Sequence, residues 1–184
     1  DAEANRAIEW AEMAMYRAKS AGGNAVVLFD RDRHRADADR LAIESELREA
    51  IEVDALHVEY QPIVALCSGE TVGCEALVRW RHADRGLISP SDFVPLAEQS
   101  PLIGRLGRYV LDRVVADART WDGRLPDGFR IHVNVSAREL EVSGLFDRLV
   151  CAHRALSCAG ASLSVELTES AVVRHLDRAR TLLW

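Results

Sequence analysis

Nowhere in these 184 residues do the ~20 consecutive apolar positions of a membrane-spanning helix occur, and no signal peptide is visible at the start. Any membrane tether of the protein therefore lies outside this stretch. A basic excess is missing as well: 29 acidic residues against 23 Lys and Arg leave a formal charge of -6, which argues against broad binding to a nucleic acid polymer. Cysteine is scarce and badly spaced for metal or redox work. Cys67, Cys74, Cys151 and Cys158 form no CxxC pair, and the last two, if helical, stand ~10 Å apart, beyond disulfide reach. Reduced core thiols in a cytoplasmic protein are the expectation. The six histidines show no HExxH spacing, so His57, His82, His153 and His175 are read as surface or partly buried residues. With 48% hydrophobic residues, what remains is an ordinary soluble globular composition.

What is present is a repeated alternation. In Glu75-Ala76-Leu77-Val78-Arg79-Trp80, Glu75, Leu77 and Arg79 project from one face of a strand, with the acid and the guanidinium about 13 Å apart at ~3.3 Å per residue. A carboxylate and a cation so placed can act as a metal ligand and a phosphate clamp on one substrate; a surface ion pair would use the same residues. In Ile131-His132-Val133-Asn134-Val135-Ser136 the polar face carries His132, Asn134 and Ser136, and in Leu163-Ser164-Val165-Glu166-Leu167-Thr168 it carries Ser164, Glu166 and Thr168. An open antiparallel sheet with its polar face in water accounts for this. A barrel covered by helices accounts for it too, and there Glu75, Asn134 and Glu166 can converge in the lumen near strand ends. Their oxygen donors suit Mg2+ or Mn2+ rather than zinc.

Strands are expected at residues 57–66, 72–80, 129–135 and 162–168. Cys67-Ser68-Gly69-Glu70-Thr71 is too short for a helical crossover, so the first two strands should form an antiparallel hairpin. Residues 2–21 read as a helix with Ala4, Ile8, Ala11, Met15 and Ala18 at helical spacing, stopped by a left-handed Gly22. Residues 31–40 alternate in charge and suit a solvated linker or a helix entry, followed by the stripe Ile43, Leu47 and Ile51. Ser89 is placed as an N-cap with Pro90 at the first helical position and Asp92 near the positive helix end. Ser136-Ala137-Arg138-Glu139 fits a capping box, and no His-Asp pair accompanies Ser136, so it is read as a cap and not a nucleophile. Leu102, Leu106, Tyr109 and Val110 form the stripe of a helix reaching about Trp121, after which Gly123 and Pro126-Asp127-Gly128 turn the chain.

Six segments, in order and at these separations, resemble the EAL-domain cyclic di-GMP phosphodiesterases: Tyr60-Gln61-Pro62-Ile63-Val64, Glu75-Ala76-Leu77-Val78-Arg79-Trp80, Gly86-Leu87-Ile88-Ser89-Pro90, Phe93-Val94-Pro95-Leu96-Ala97-Glu98, Asn134-Val135-Ser136 and Glu166-Leu167-Thr168-Glu169-Ser170. The resemblance implies an α/β fold, a TIM-like (β/α)8 barrel whose first strand pair is antiparallel. Such a barrel takes about 250 residues, whereas Leu41 to Trp184 is 144 residues. Arg180-Thr181-Leu182-Leu183-Trp184 also carries no Gly, Asn or Pro to end its helix. Residues 41–184 are therefore expected to be the N-terminal half of an EAL domain, a truncated barrel with its first four strands.

The activity implied by this resemblance is hydrolysis of one phosphodiester bond of cyclic di-GMP to linear pGpG, with Mg2+ or Mn2+, in bacterial second-messenger signalling. By the same resemblance Glu75, Asn134 and Glu166 are metal ligands, with Glu75, Glu166 and Glu169 forming the catalytic set; Arg79 grips a substrate phosphate, and Gln61 and Leu77 line the substrate groove. Glu169 corresponds to an anchor for a flexible loop over the metals, although an acid favoured by a helix N-terminus is an equal reading. The family's fifth-strand Asp pair, its Lys near the attacking water, and its later Glu and Gln have no counterpart before Trp184, so this chain alone is expected to be inactive. A degenerate EAL module that binds cyclic di-GMP or a protein partner without catalysis is the alternative, and an EAL homodimer is a further partner the resemblance allows.

Met15-Tyr16-Arg17-Ala18-Lys19-Ser20-Ala21-Gly22-Gly23-Asn24, followed by Ala25-Val26-Val27-Leu28-Phe29, resembles the last helix and strand of a GGDEF domain of the diguanylate cyclase type. On this resemblance residues 1–30 are the C-terminal tail of a GGDEF domain, residues 31–40 a linker, and the GGDEF domain a partner in cis. The cyclase motif itself is absent, so no chemistry is expected of residues 1–30, and a cyclase-side regulatory fragment is the weakest of the three functional classes.

Overall fold

An N-terminal helix and a mixed sheet backed by helices make up the structure, a computed structural model that describes residues 2–20, 22–24, 26–28, 30–121 and 123–167. The chain divides into two units, residues 1–43 and 44–184. In the first, α1 (Ala2–Ser20) ends as its sequence predicts: Gly22 takes φ 101, and the Gly23 N–H reaches back to the Ala18 carbonyl at 3.0 Å, the 6→1 bond of a glycine stop. Ile8 and Met15 are exposed on this helix. The strand expected at residues 25–29 is not formed in its described part, residues 26–28, where Val26 and Leu28 are 94% and 84% exposed. A strand persists only with a neighbour to take its ladder bonds, and residues 26–28 make no ladder pairing among the described residues. The charged segment 31–40 is helical, the first part of α2 (Arg31–Glu52).

The second unit begins with the end of α2, where Leu47 and Ala50 are buried. Asp54, at φ 57, turns the chain into β1 (Leu56–Val64). Then follow β2 (Thr71–His82), a short β3 (Gly86–Ile88), α3 (Pro90–Glu98), α4 (Leu102–Thr120), β4 (Phe129–Val135), a 3-10 turn (Glu139–Glu141), α5 (Leu145–Cys158) and β5 (Ala161–Leu167). The sheet order is β1-β2-β4-β5, with β3 on the far end of β2. β1 and β2 are antiparallel from Leu56↔Trp80 to Val64↔Thr71, as the short connection demanded; Gly69 supplies its tight turn at φ 72. β2 with β4 and β4 with β5 are parallel, joined by helical crossovers. β3, absent from the sequence expectation, is too short to show a periodicity.

One face of the sheet is apolar and lies under the helices. Cys74, Ala76, Ile131, Val133 and Val135 pack with Leu111, Val114 and Ala118 of α4 and with Leu149, Ala152 and Leu156 of α5. Burial of each such large side chain contributes about 1.5–3 kcal/mol. Trp80, at the end of β2, meets Phe93 of α3 edge-on with ring centroids 5.6 Å apart. Of the four free cysteines only Cys74 is in this core; Cys67, Cys151 and Cys158 are exposed, which corrects the expectation of core thiols. Cys151 and Cys158 share the outward face of α5 because Leu149, Ala152 and Leu156 take the inward one.

Ser89 does occupy the N-cap of α3 with Pro90 following, but its hydroxyl bonds that of Ser91 at 2.7 Å and caps no backbone N–H. No helix among the described residues is long and apolar enough to cross a membrane.

Candidate functional site

Because register partners face the same side of a sheet, the polar face can be laid out strand by strand. Glu75 on β2 stands opposite Gln61 on β1 and His132 on β4. One pleat along, Asn134 on β4 stands opposite Glu166 on β5. The Asn134 side-chain N–H donates to Glu75 Oε1 at 2.6 Å, and His132 Nδ1 lies 2.8 Å from Glu166 Oε1. The three residues expected to ligate metal therefore come from three adjacent strands and meet on one open face. Asn134 and Glu166 are exposed there and Glu75 is half-buried. Among the described residues, no Lys or Arg pairs with either carboxylate; the ion partner recorded for Glu166 is His132.

Arg79 lies four residues along β2 from Glu75 on the same face, and it pairs with a different acid. Its Nε donates to Glu59 Oε2 at 2.8 Å, its Nη1 to the Val78 carbonyl at 3.2 Å, and His57 Nε2 approaches the other Glu59 oxygen at 3.6 Å. The hydrogen bond from Arg79 holds the Glu59 carboxyl below its usual range, helped by His57. Leu77 faces Glu59 across the β1–β2 ladder, between Glu75 and Arg79, and Gln61 is exposed at the β1 edge of the set. Glu169, with Thr168, Ser170 and His175, lies outside the described residues.

Two members of this face went unassigned in the sequence. His132 is visible in the alternation of its strand, but nothing local shows that it meets Glu166, 34 residues away. Glu59 belongs to the alternation His57-x-Glu59-x-Gln61, which, read together with the expected hairpin, was a usable signal for a partner to Arg79.

Behind the end of β4 the expected capping box is made in full. The Ser136 N–H donates to Glu139 Oε2 at 3.0 Å and the Glu139 N–H to the Ser136 hydroxyl at 3.3 Å, so Ser136 is a cap. The helix it opens is only a 3-10 turn. Glu139 is the single buried charged residue among those described, and burial pushes its carboxyl up to about 7, against the Ser136 hydrogen bonds and Arg148, which favour the ionised form. It borders a cavity of about 180 Å³ lined by Val78, Leu106, Val110, Val133, Asn134 and Leu145 among others.

Two carboxylates and an amide, with no Lys or Arg among the described residues paired to them, make a hard oxygen donor set that fits a divalent cation of the Mg2+ or Mn2+ type. Among the described residues there is no group of three or more His, Cys, Asp or Glu that could hold a metal; the further oxygen donor beside the two carboxylates on this face is the Asn134 amide.

Comparison with known proteins gives this face a context. The profile of the EAL domain family matches residues 44–183. The chain is 37% identical over 174 residues to MucR of Pseudomonas aeruginosa, a bifunctional diguanylate cyclase/cyclic di-GMP phosphodiesterase, covering 94% of this chain and 25% of that protein. It is 36% identical over 176 residues to the cyclic di-GMP phosphodiesterase PdeR of Escherichia coli, covering 96% and 26%. The chain thus spans about a quarter of the length of these relatives. The solved structure of the MucR phosphodiesterase in complex with c-di-GMP superposes with a TM-score of 0.67 at 37% identity, covering 77% of this chain and 57% of that one. With the hairpin-first sheet, the six motif segments and these matches in agreement, the chain belongs to the EAL domain family.

Proposed function

We propose that the protein hydrolyses one phosphodiester bond of cyclic di-GMP to give linear pGpG, with Mg2+ or Mn2+. The observation that supports this most directly is the meeting of Glu75, Asn134 and Glu166 on adjacent strands, the two carboxylates paired with no Lys or Arg among the described residues, with Arg79 on the same face. Glu75 and Glu166 would hold the metal through carboxylate oxygens, and Asn134 through its amide oxygen after its N–H releases Glu75. A divalent ion so held supplies Lewis-acid polarisation of a phosphoryl oxygen and a water of lowered pKa. Arg79 would present its guanidinium to a phosphate, a charge-assisted contact for which its planar fork is suited; Glu59 keeps that fork oriented meanwhile. Gln61 and Leu77 would line the groove beside it. Glu169 keeps the loop-anchoring role its motif implies.

Residues 1–30 are read as the tail of a GGDEF domain acting in cis, supported by the glycine-stopped helix α1, and the setting as the bacterial cytoplasm. The second reading, binding of cyclic di-GMP or a protein without turnover, is favoured by one observation: among the described residues no three His, Cys, Asp or Glu side chains form a group that could hold a metal. An EAL homodimer is compatible with either reading.

Conversion of cyclic di-GMP to pGpG by the full-length protein, followed chromatographically with Mg2+, Mn2+ or EDTA, tests the proposal. Turnover should vanish with EDTA and in Glu75→Ala. Arg79→Ala should weaken substrate binding about 10–100-fold, the equivalent of losing a charged hydrogen bond worth roughly 1.5–3 kcal/mol. Near wild-type turnover by Glu75→Ala with metal present would remove the ligand assignment, and tight cyclic di-GMP binding without turnover would establish the second reading.

A further inference from the structure

β4 supplies two donors to this face, one to each side. Asn134 bonds the β2 carboxylate, Glu75, and His132, two residues earlier on the same face, bonds the β5 carboxylate, Glu166. A carboxylate that ligates a metal keeps one orientation only if its position is held from outside, and outer hydrogen-bond partners of this kind typically carry 10–100-fold in metal affinity. His132 meets the geometric conditions. Its side chain is 21% exposed, pinned on β4 between the register partners Glu75 and Ser164, so the ring has little freedom to leave Glu166. Among the described residues, Glu166 has no competing Lys or Arg that would do the same work.

We propose that His132 is a positioning residue for the metal: its Nδ1–H donates to Glu166 Oε1 and holds that carboxylate in the orientation in which its other oxygen is free to ligate. The inference rests on Glu166 being a ligand, as put forward above. The role needs a donor at the Nδ1 position and nothing else of the ring. An asparagine side chain carries an N–H at nearly the same distance from the backbone, so it should substitute where alanine cannot.

Mn2+ binding to the full-length protein, read from the free-ion paramagnetic resonance signal and from titration calorimetry without substrate, separates the possibilities. Glu166→Ala tests the underlying reading: Mn2+ affinity equal to wild type means that Glu166 is not a ligand, and the proposal falls with it. With Glu166→Ala impaired, His132→Ala should weaken Mn2+ binding about 10–100-fold and His132→Asn should recover most of that loss, while urea midpoints for both variants stay near wild type. Unchanged affinity in His132→Ala overturns the positioning role. Equal loss in His132→Ala and His132→Asn also overturns it, since the ring itself, as a direct nitrogen ligand or as packing, would then be what matters.

Discussion

Gly107 and Glu139 explain each other. A Cβ added to Gly107 would stand 1.8 Å from Glu139 Oε1, and that carboxylate cannot swing aside without giving up its bond to the Ser136 N–H. A glycine inside α4 costs about 1 kcal/mol relative to alanine, a cost that only a close neighbour justifies. Gly107→Ala should therefore destabilise the protein by about 1–3 kcal/mol as an overpacking change. In a Glu139→Ala background the same substitution should be neutral or stabilising, because the clash is gone and the propensity gain remains. Urea unfolding of the four proteins of this cycle checks it; an equal cost of Gly107→Ala in both backgrounds would refute the coupling.

Glu139 also imposes a pH dependence. Its carboxyl, at about 7 instead of its usual 4.5, keeps in the native state a proton that the unfolded chain releases. The stability linked to that proton is complete below about 4.5 and declines as pH rises through 7, by on the order of 3 kcal/mol. Glutamine can serve the same capping box and has no proton to lose. Glu139→Gln should thus gain on the wild type steadily from pH 5 to pH 8 and be the more stable protein at pH 8; a difference that stays constant with pH would count against the buried, raised carboxyl.

Among the elements, β2 carries the transition between two kinds of pairing, antiparallel to β1 and parallel to β4. Gly73 sits at the tightest point of that change, where an added Cβ would lie 2.5 Å from the Arg130 carbonyl oxygen. That neighbour is backbone and has no rotamer to yield. Gly73→Ala should push β2 and β4 apart two residues before the Glu75↔His132 pair, costing about 1–3 kcal/mol and weakening Mn2+ binding as well. Unfolding midpoint and metal titration measured on one sample would show both losses; full stability with intact metal binding would show that the strands accommodate a methyl group there.

For the molecule as a whole, the sheet order leaves β1 and β5 at its two edges, each with one strand partner among the described residues. Unpaired edge groups are a template for another chain. The 184-residue polypeptide, produced by itself, is expected to self-associate with a mass that rises with concentration and to bind a hydrophobic dye. Light scattering coupled to size exclusion checks this, and a clean monomer across the micromolar range would show that the edges are covered.

What the sequence determined by itself is whatever depends on short-range periodicity. Alternation sorted Glu75, Leu77, Arg79, His132, Asn134, Ser164 and Glu166 onto a single kind of face. The five-residue connection required a hairpin, and Ser136 with Glu139, three apart, announced the cap. The order of six short segments identified the family. The tertiary structure decided whatever depends on register between distant strands and on which helix face is left outside. Arg79 is taken by Glu59, 20 residues away, and not by Glu75 on its own strand, because same-face neighbours four apart on a strand are about 13 Å distant while cross-strand neighbours touch. For the same reason His132 finds Glu166 and Gly107 makes room for Glu139. Three cysteines face solvent, and residues 26–28 form no strand, because a side chain or a backbone is buried only by a partner, and local spacing does not specify where that partner lies.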